Sequence, residues 1–428
     1  MTQQPLPLPG LPLPDLLVLG AARLATPLGA SALSGHAAGR LLELEQPALA
    51  VRDGRIAWVG VQRDLPEGWL ASSVPRLDVA GATLLPGFVD PHTHAVFAGW
   101  REEEFGLRLQ GVSYSEIAAR GGGIVRTMEA TRCASLDELT RDLESRLQRM
   151  LLQGVTTAEV KSGYGLDAAT ELRQLRAIRQ AASPVRRVAT FLGAHAVPPD
   201  MRDRREAYVA SVIALVSQVA GEDLADACDV FCDEGAFTIA EGRAVLQAAR
   251  SHGMLLKVHA DELTACGGAE LAAEVGAVSA EHLLHCSDGG MEAMAAAGVV
   301  AVLLPATAFL LREQPVRAER FRAAGCALAV GTDFNPGSSP CDALTLAASI
   351  GCVASGLSPD EALTAITLNA AAAVGLAGET GSLEIGKRAD VAVLGAPSHR
   401  HLTYRFGANL ITGVIAGGEI VVRDGRLV

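Results

Sequence analysis

Between Leu84 and Gly375 the chain alternates short apolar runs with longer amphipathic stretches, eight times over. The runs are LLPGFVDPHTH, VTTAEVKSGYG, VRRVATFLGAH, ACDVFCDEG, LLKVHADE, AVSAEHLLH, VVAVLLP and ALAVGTDFN. Helix-like segments separate several of them, for example Ser135 to Gln153 and Ala168 to Ala182. Apolar strands alternating with helices predict a parallel sheet, since a parallel neighbour is reached only through a crossover that then covers the sheet face. Eight such units suit an α/β chain folded as a (β/α)8 TIM-like barrel, a fold of about 250 residues in its usual form. A doubly wound sheet is the alternative, but no G-x-G-x-x-G follows the first run.

Almost every run ends in a residue capable of chemistry: His92 and His94, Lys161 and Tyr164, His195, Asp233 and Glu234, His259 and Glu262, His282, Asp333 and Asn335. Barrel active sites sit at the carboxyl ends of the strands, so this pattern is the main functional signal. In a strand, residues i and i+2 share a face, so His92 and His94 project together. With His259 and Asp333 they supply three imidazoles and one carboxylate, a set suited to zinc or iron with room left for water. Taken singly, His259 also fits a hydrogen-bonded core histidine and Asp333 a helix cap. Lys161 belongs to the second run, and the fourth run ends in Asp233-Glu234 without a lysine, so a single metal ion is expected rather than a bridged pair.

Hydrolysis at such a centre needs proton carriers. Glu262 and Asp261 follow His259 closely, and either could face the cavity; Glu262 and His282 are assigned as the acid/base partners, with His285 structural. Arg101 lies on the loop leaving the first strand, placed to grip a carboxylate. Tyr164 and His195 could hydrogen-bond a small polar ring. The turn Asn335-Pro336-Gly337-Ser338 offers an amide, a close backbone approach and a hydroxyl beside Asp333. The Gly121-Gly122-Gly123 loop has no G-K-[ST] after it, which argues against phosphate binding and for a flexible loop over the site.

The ends of the chain have a different texture. Residues 15–83 and 376–428 read as short strands and turns, with Asp53-Gly54 and Asp424-Gly425 as hairpin signals, and form the expected second, smaller β-sandwich domain built from both termini. The barrel is expected over 84–375, and the proline-rich residues 1–14 as a flexible tail. A net charge of -12 without a Lys/Arg run excludes a general nucleic-acid or anionic-membrane surface, so an anionic substrate would need a local arginine. Eight cysteines with no C-x-x-C pair fit reduced, mostly buried thiols in a cytoplasm. Ala293 to Leu311 is uncharged and long enough to span a membrane, but Gly298 and Pro305 cut it into a strand, VVAVLLP, and a following segment, so no span is expected.

PGFVDPHTH, the strand-end His259, His282 and Asp333, and the closing GSLEIGKRADVAVL resemble the amidohydrolase superfamily. HTHAVFAGWREEEF, GGGIVRTMEATR, EVKSGYGL, FLGAHAVP, VFCDEGAF, KVHADE and TDFNPGSSP together resemble its imidazolonepropionase family, from about residue 50 to the end. The resemblance implies hydrolysis of 4-imidazolone-5-propanoate to N-formimidoyl-L-glutamate in L-histidine degradation, with one Zn2+ or Fe ion per subunit. It carries metal ligation onto His92, His94, His259 and Asp333. Ring and product contacts fall on Arg101, Tyr164, His195, Glu262, Asn335, Gly337 and Ser338, and the second acid/base role on His282. It also implies a cytoplasmic homodimer. The rivals are an amidohydrolase acting on a ring without the propionate, which would leave Arg101 without a purpose, and a binding protein with a structural metal, against which Glu262 and His282 argue.

Overall fold

The computed structural model describes residues 12–112, 116 and 121–428. The proline-rich tail expected at 1–14 lies outside the described residues as far as residue 11. Eight strands form one parallel sheet in sequence order: β1 (Phe88–Asp90), β2 (Val155–Lys161), β3 (Arg186–Ala194), β4 (Ala227–Cys232), β5 (Leu255–Ala260), β6 (Ser279–His282), β7 (Val300–Leu303) and β8 (Leu328–Val330). Each of these strands lies within one of the predicted runs. Closure occurs just beyond the ends of β8 and β1. Thr93 bridges Phe334, the Asp333 N–H donates to the His92 carbonyl (3.0 Å), and the His94 N–H to the Phe334 carbonyl (2.9 Å).

The two faces of the strands differ in chemistry. Ala158, Val160, Cys228, Val230, Leu256, Val258 and Ala280 belong to the large apolar core that also takes in the surrounding helices. At the base of the cylinder Val89, Val300, Val302 and Ala329 pack on the helix Leu368–Ala373. The alternate positions in β2, β4, β5 and β6 are polar and buried: Glu159, Lys161, Asp229, Lys257, Ser279 and Glu281.

The crossover helices start where capping chemistry dictates. Ser135 and Glu138 form a reciprocal capping box at the start of the helix Leu136–Leu151, whose buried Leu139, Leu143, Leu147 and Met150 recur at helical spacing. Arg146 shares that inward face. Its guanidinium lies 3.6 Å from the Phe97 ring centre and donates to the carbonyls of Ala95 and Phe97 (2.7 and 2.8 Å). It thereby holds the chain that leaves His94.

Both termini contribute to two further sheets. Strands 55–61, 47–52, 16–19 and 76–78 form one; strands 426–427, 419–423, 411–416, 391–394, 83–86, 23–26 and 42–45 form the other. Leu49, Val51 and Ile56 from the first pack against Leu24, Leu84, Val391 and Ile415 from the second, a sandwich in miniature. Asp53 and Gly54 both have positive φ (52° and 70°), as the hairpin signal requires.

One sequence expectation is corrected. Leu84 to Val89 is not a single strand: Thr83–Pro86 pairs with Val391–Leu394 in the terminal sheet, and Phe88–Asp90 pairs with β2. The sheet change occurs at Gly87, where an added Cβ would overlap the Thr156 side chain and lie 3.0 Å from the Asp390 Cβ. Overpacking of this kind costs about 1–3 kcal/mol. Gly87→Ala should therefore lower unfolding stability by about that amount in urea denaturation; an unchanged midpoint would mean the crossing relaxes freely.

Candidate active site

The ligand candidates come together because the barrel closes through them. Nε2 of His92 and Nε2 of His94 each lie 3.4 Å from Oδ1 of Asp333, and Nε2 of His259 lies 3.4 Å from Nε2 of His94. All four residues are buried. Asp333 adopts a positive φ of 51°, an uncommon conformation for a non-glycine residue, and its Oδ2 accepts from the Thr307 hydroxyl at 2.8 Å. Burial pushes the His92 and His259 imidazoles well below their usual range and His94 down to about 3, so all three are neutral, the form that ligates a metal. The set fits a metal ion: Nε2 of His92 is buried with no hydrogen-bond partner yet is aimed at the other three groups. His282 also approaches, and with His92 and Asp333 it makes a second convergent group.

Glu262 and His282 form a pair, with Oε1 3.5 Å from Nδ1. Burial, then the charges of Asp333, Asp233 and Glu313, raise the Glu262 carboxyl to about 8, while burial lowers His282 to about 3. Asp261, the sequence's other candidate, is engaged elsewhere. Its carboxylate accepts from the backbone N–H groups of Cys266, Gly267, Gly268 and Ala269 at 3.0–3.1 Å, and so anchors the start of the next helix. Glu262 is therefore the carboxylic acid left facing the mouth. His285 is exposed, and its backbone N–H donates to the Asp261 carbonyl at 2.9 Å.

Tyr164 and His195 line the mouth beside the ligands. The His195 ring stacks on His94 (5.1 Å between centres, 17° between planes), its Nδ1 is 2.8 Å from the Gly163 carbonyl oxygen, and the Tyr164 ring lies 5.4 Å from it. The loop carrying Tyr164 is held by the buried Glu171, which accepts from the N–H groups of Gly163, Gly165 and Leu166 at 2.8–3.0 Å.

The Arg101 guanidinium packs directly on Gly337, where any Cβ would overlap its terminal nitrogen. Glu104 orients it, accepting from Nε at 2.9 Å, and its other oxygen accepts the Gly123 N–H at 3.1 Å. The Gly121–Gly123 turn is thus tied to the arginine, through a carboxylate the sequence reading did not single out. The Asn335 side chain is occupied inside its own turn. It accepts the Gly337 and Ser338 N–H groups (both 2.8 Å) and donates to the Asp333 carbonyl and the Ser338 hydroxyl. Asn335 therefore shapes the turn that presents Gly337 and Ser338.

Lys161 is not at the mouth but one layer below it. Its Nζ lies 2.7 Å from both Glu159 Oε1 and Asp229 Oδ2, and all three residues are fully buried. Glu159 also accepts the Thr93 N–H (3.2 Å), and Asp229 accepts the His259 N–H (3.2 Å) with its second oxygen 3.0 Å from His259 Nδ1. The carboxylates that flank Lys161 thus also fix two segments that carry candidate ligands. A second ammonium, Lys257, meets Glu281 Oε1 at 2.9 Å and Ser279 Oγ at 2.6 Å. Deleting one partner of such a buried set strands the rest, at a cost of about 3–5 kcal/mol. Lys161→Met should lower stability by that order in denaturant titration; a neutral result would mean that these carboxylates do not depend on the ammonium.

A model of the amidohydrolase family matches residues 83–421. The chain is 48% identical over 419 residues to an imidazolonepropionase of Symbiobacterium thermophilum, covering 96% of this chain and 98% of that one. An imidazolonepropionase of Brevibacillus brevis is 46% identical over 414 residues, covering 95% and 98% of the two chains. Among solved structures, a zinc-bound adenosine deaminase from Xanthomonas campestris superposes with a TM-score of 0.68 at 21% identity, over 97% of this chain and 95% of that one. A zinc-bound atrazine chlorohydrolase of Arthrobacter aurescens gives 0.67 at 17% identity, over 96% of each chain. At that identity the structures establish the fold, and the sequence relatives establish the narrower kinship. The chain belongs to the amidohydrolase family and, within it, to the imidazolonepropionases.

Proposed function

We propose that this enzyme opens the ring of 4-imidazolone-5-propanoate to give N-formimidoyl-L-glutamate, with one zinc or iron ion per subunit held by His92, His94, His259 and Asp333. One observation carries this: the strand ends that bring three neutral imidazoles and a carboxylate together also bring a half-buried arginine against the very next turn. A metal ion bound there supplies Lewis-acid activation of water and of a carbonyl. The chain's own groups do the rest. Arg101, its plane set by Glu104, pairs with the propionate and fixes the ring carbonyl over the centre. Tyr164 and His195 offer polar edges to the ring, with Gly337 and Ser338 opposite. Glu262 and His282 carry a proton from the attacking water to the departing ring nitrogen; a Glu262 carboxyl raised to about 8 can both hold and release it near neutral pH.

The eight free thiols favour a reducing cytoplasmic setting. Among the described residues no helix is long and apolar enough to cross a membrane. Exposed Phe309, Val353 and Tyr404, on neighbouring packed helices, favour a homodimer, which sedimentation would check.

The assay is hydrolysis of enzymatically generated imidazolone propionate, followed spectrophotometrically with and without a chelator. Turnover should fall with the chelator and return with zinc or iron. His92→Ala should lose both metal and turnover. Arg101→Ala should keep its metal and raise KM by on the order of tenfold to a hundredfold, the worth of a charge-assisted hydrogen bond. An unchanged KM would remove Arg101 from the substrate, and a metal-free variant of full activity would end the scheme.

A further inference from the structure

Asp233, at the end of β4, has a chemically capable side chain that the proposed reaction does not use. It is only 5% exposed, and three donors from two different loops converge on its carboxylate. Oδ2 accepts the Leu263 N–H at 2.7 Å; Oδ1 accepts the Thr264 hydroxyl at 2.7 Å and the Glu234 N–H at 2.8 Å. Leu263 is the residue immediately after Glu262. On the other side of Glu262 stands Asp261, whose backbone has a positive φ of 50° and whose carboxylate accepts the four N–H groups described above. A short loop in an unfavourable conformation stays there only if its surroundings over-determine it. Glu262 is thus clamped on both sides by buried carboxylates, one from its own loop and one reaching across from the neighbouring strand.

We propose that Asp233 is a positioning residue for the proton-transfer step: by holding the Leu263 N–H and the Thr264 hydroxyl it keeps the Glu262 carboxyl in reach of His282. The inference rests on the proposed role of Glu262. Asp233 does not touch the proposed ligand or substrate groups, so its contribution enters turnover and not substrate or metal binding. Geometry also distinguishes its two possible replacements. Asparagine keeps an acceptor for the Leu263 N–H, and the Thr264 hydroxyl can reverse to accept from the new amide; only the Glu234 N–H loses its partner. Alanine removes all three bonds.

The test compares Asp233→Ala, Asp233→Asn and Glu262→Gln in the metal-loaded full chain, reading kcat, KM, metal content and amide hydrogen exchange at Leu263. Asp233→Ala should lower kcat by about a hundredfold, the usual effect of misplacing a catalytic group by about an ångström. KM and metal content should stay unchanged, and the Leu263 amide should exchange faster. Asp233→Asn should recover most of the turnover and the Leu263 protection. Full turnover in Asp233→Ala overturns the proposal, as does a Leu263 amide as protected as in the parent. Equal losses in the asparagine and alanine variants would show that charge, not positioning, matters, and would overturn it too. If Asp233→Ala does not fold, Asp233→Asn and Thr264→Val decide by the same readouts: the first must keep Leu263 protected, and the second must lower kcat without raising KM. Glu262→Gln separates the two levels. Should it retain full turnover, the role of Glu262 falls and this inference with it; should it lose turnover while Asp233→Ala does not, only the inference falls.

Discussion

The barrel is closed by two backbone hydrogen bonds, Asp333 N–H to the His92 carbonyl and His94 N–H to the Phe334 carbonyl, and the rest of the site depends on that seam. Strands β1 and β8 are only three residues long and do not pair along their own length. The contact that joins the first strand to the last lies beyond them, in the segments that carry His92, His94 and Asp333. Side chains far apart in sequence are thereby held at 3.4 Å. Backbone hydrogen bonds inside a packed barrel have no water to exchange with, so the convergence is rigid.

Beneath the seam, charge takes the place of the apolar filling that such barrels generally carry. Two buried lysines and three buried carboxylates occupy inward positions of β2, β4, β5 and β6. A buried pair of this kind adds little net stability, because desolvation offsets attraction. Its effect is one of specification. Glu159 reaches the Thr93 backbone and Asp229 the His259 backbone and ring, so the orientation of the candidate-ligand segments is tied to the position of the Lys161 ammonium. The same device recurs at the mouth. Glu171, Asp233 and Asp261 are each buried and each accepts backbone N–H groups from a loop that carries a candidate functional side chain, while Glu104 ties the Arg101 guanidinium to the Gly123 N–H. Loops held in this way lose little further freedom when a substrate arrives, which is how a site on connecting segments attains the precision of one on strands.

The mouth combines this rigidity with a sharp split in chemistry. The imidazoles are kept neutral by burial, the Glu262 carboxyl is raised by burial and by neighbouring carboxylates, and the Arg101 guanidinium packs against a glycine turn. The deaminase and chlorohydrolase structures share the fold, so the cylinder alone does not select a substrate. Under the proposed function, selection would fall to loop residues such as Arg101, Gly337 and Ser338.

Much of this was legible in the sequence, because period and position are local properties. The eight apolar runs, the hairpin dipeptides and the polar residues at the run ends specified a parallel barrel and the face on which its chemistry sits, since strand alternation and the carboxyl-end rule act on each segment by itself. Leu84 to Val89 misled as one strand because hydrophobicity does not report which sheet a residue joins; Gly87 changes sheets for steric reasons that exist only once Thr156 is beside it. The charged layer left a faint trace, the period-two Thr157, Glu159 and Lys161 within a buried strand, but which lysine meets which carboxylate depends on the register between neighbouring strands. The same holds at the loops. Sequence could nominate both Asp261 and Glu262, and only the folded backbone, which directs four N–H groups at the first, leaves the second to face the mouth. Residue type and spacing therefore determined the kind of fold and the chemistry available to it. Which groups meet was decided by tertiary structure, because contacts between distant segments depend on closure and register that no local pattern encodes.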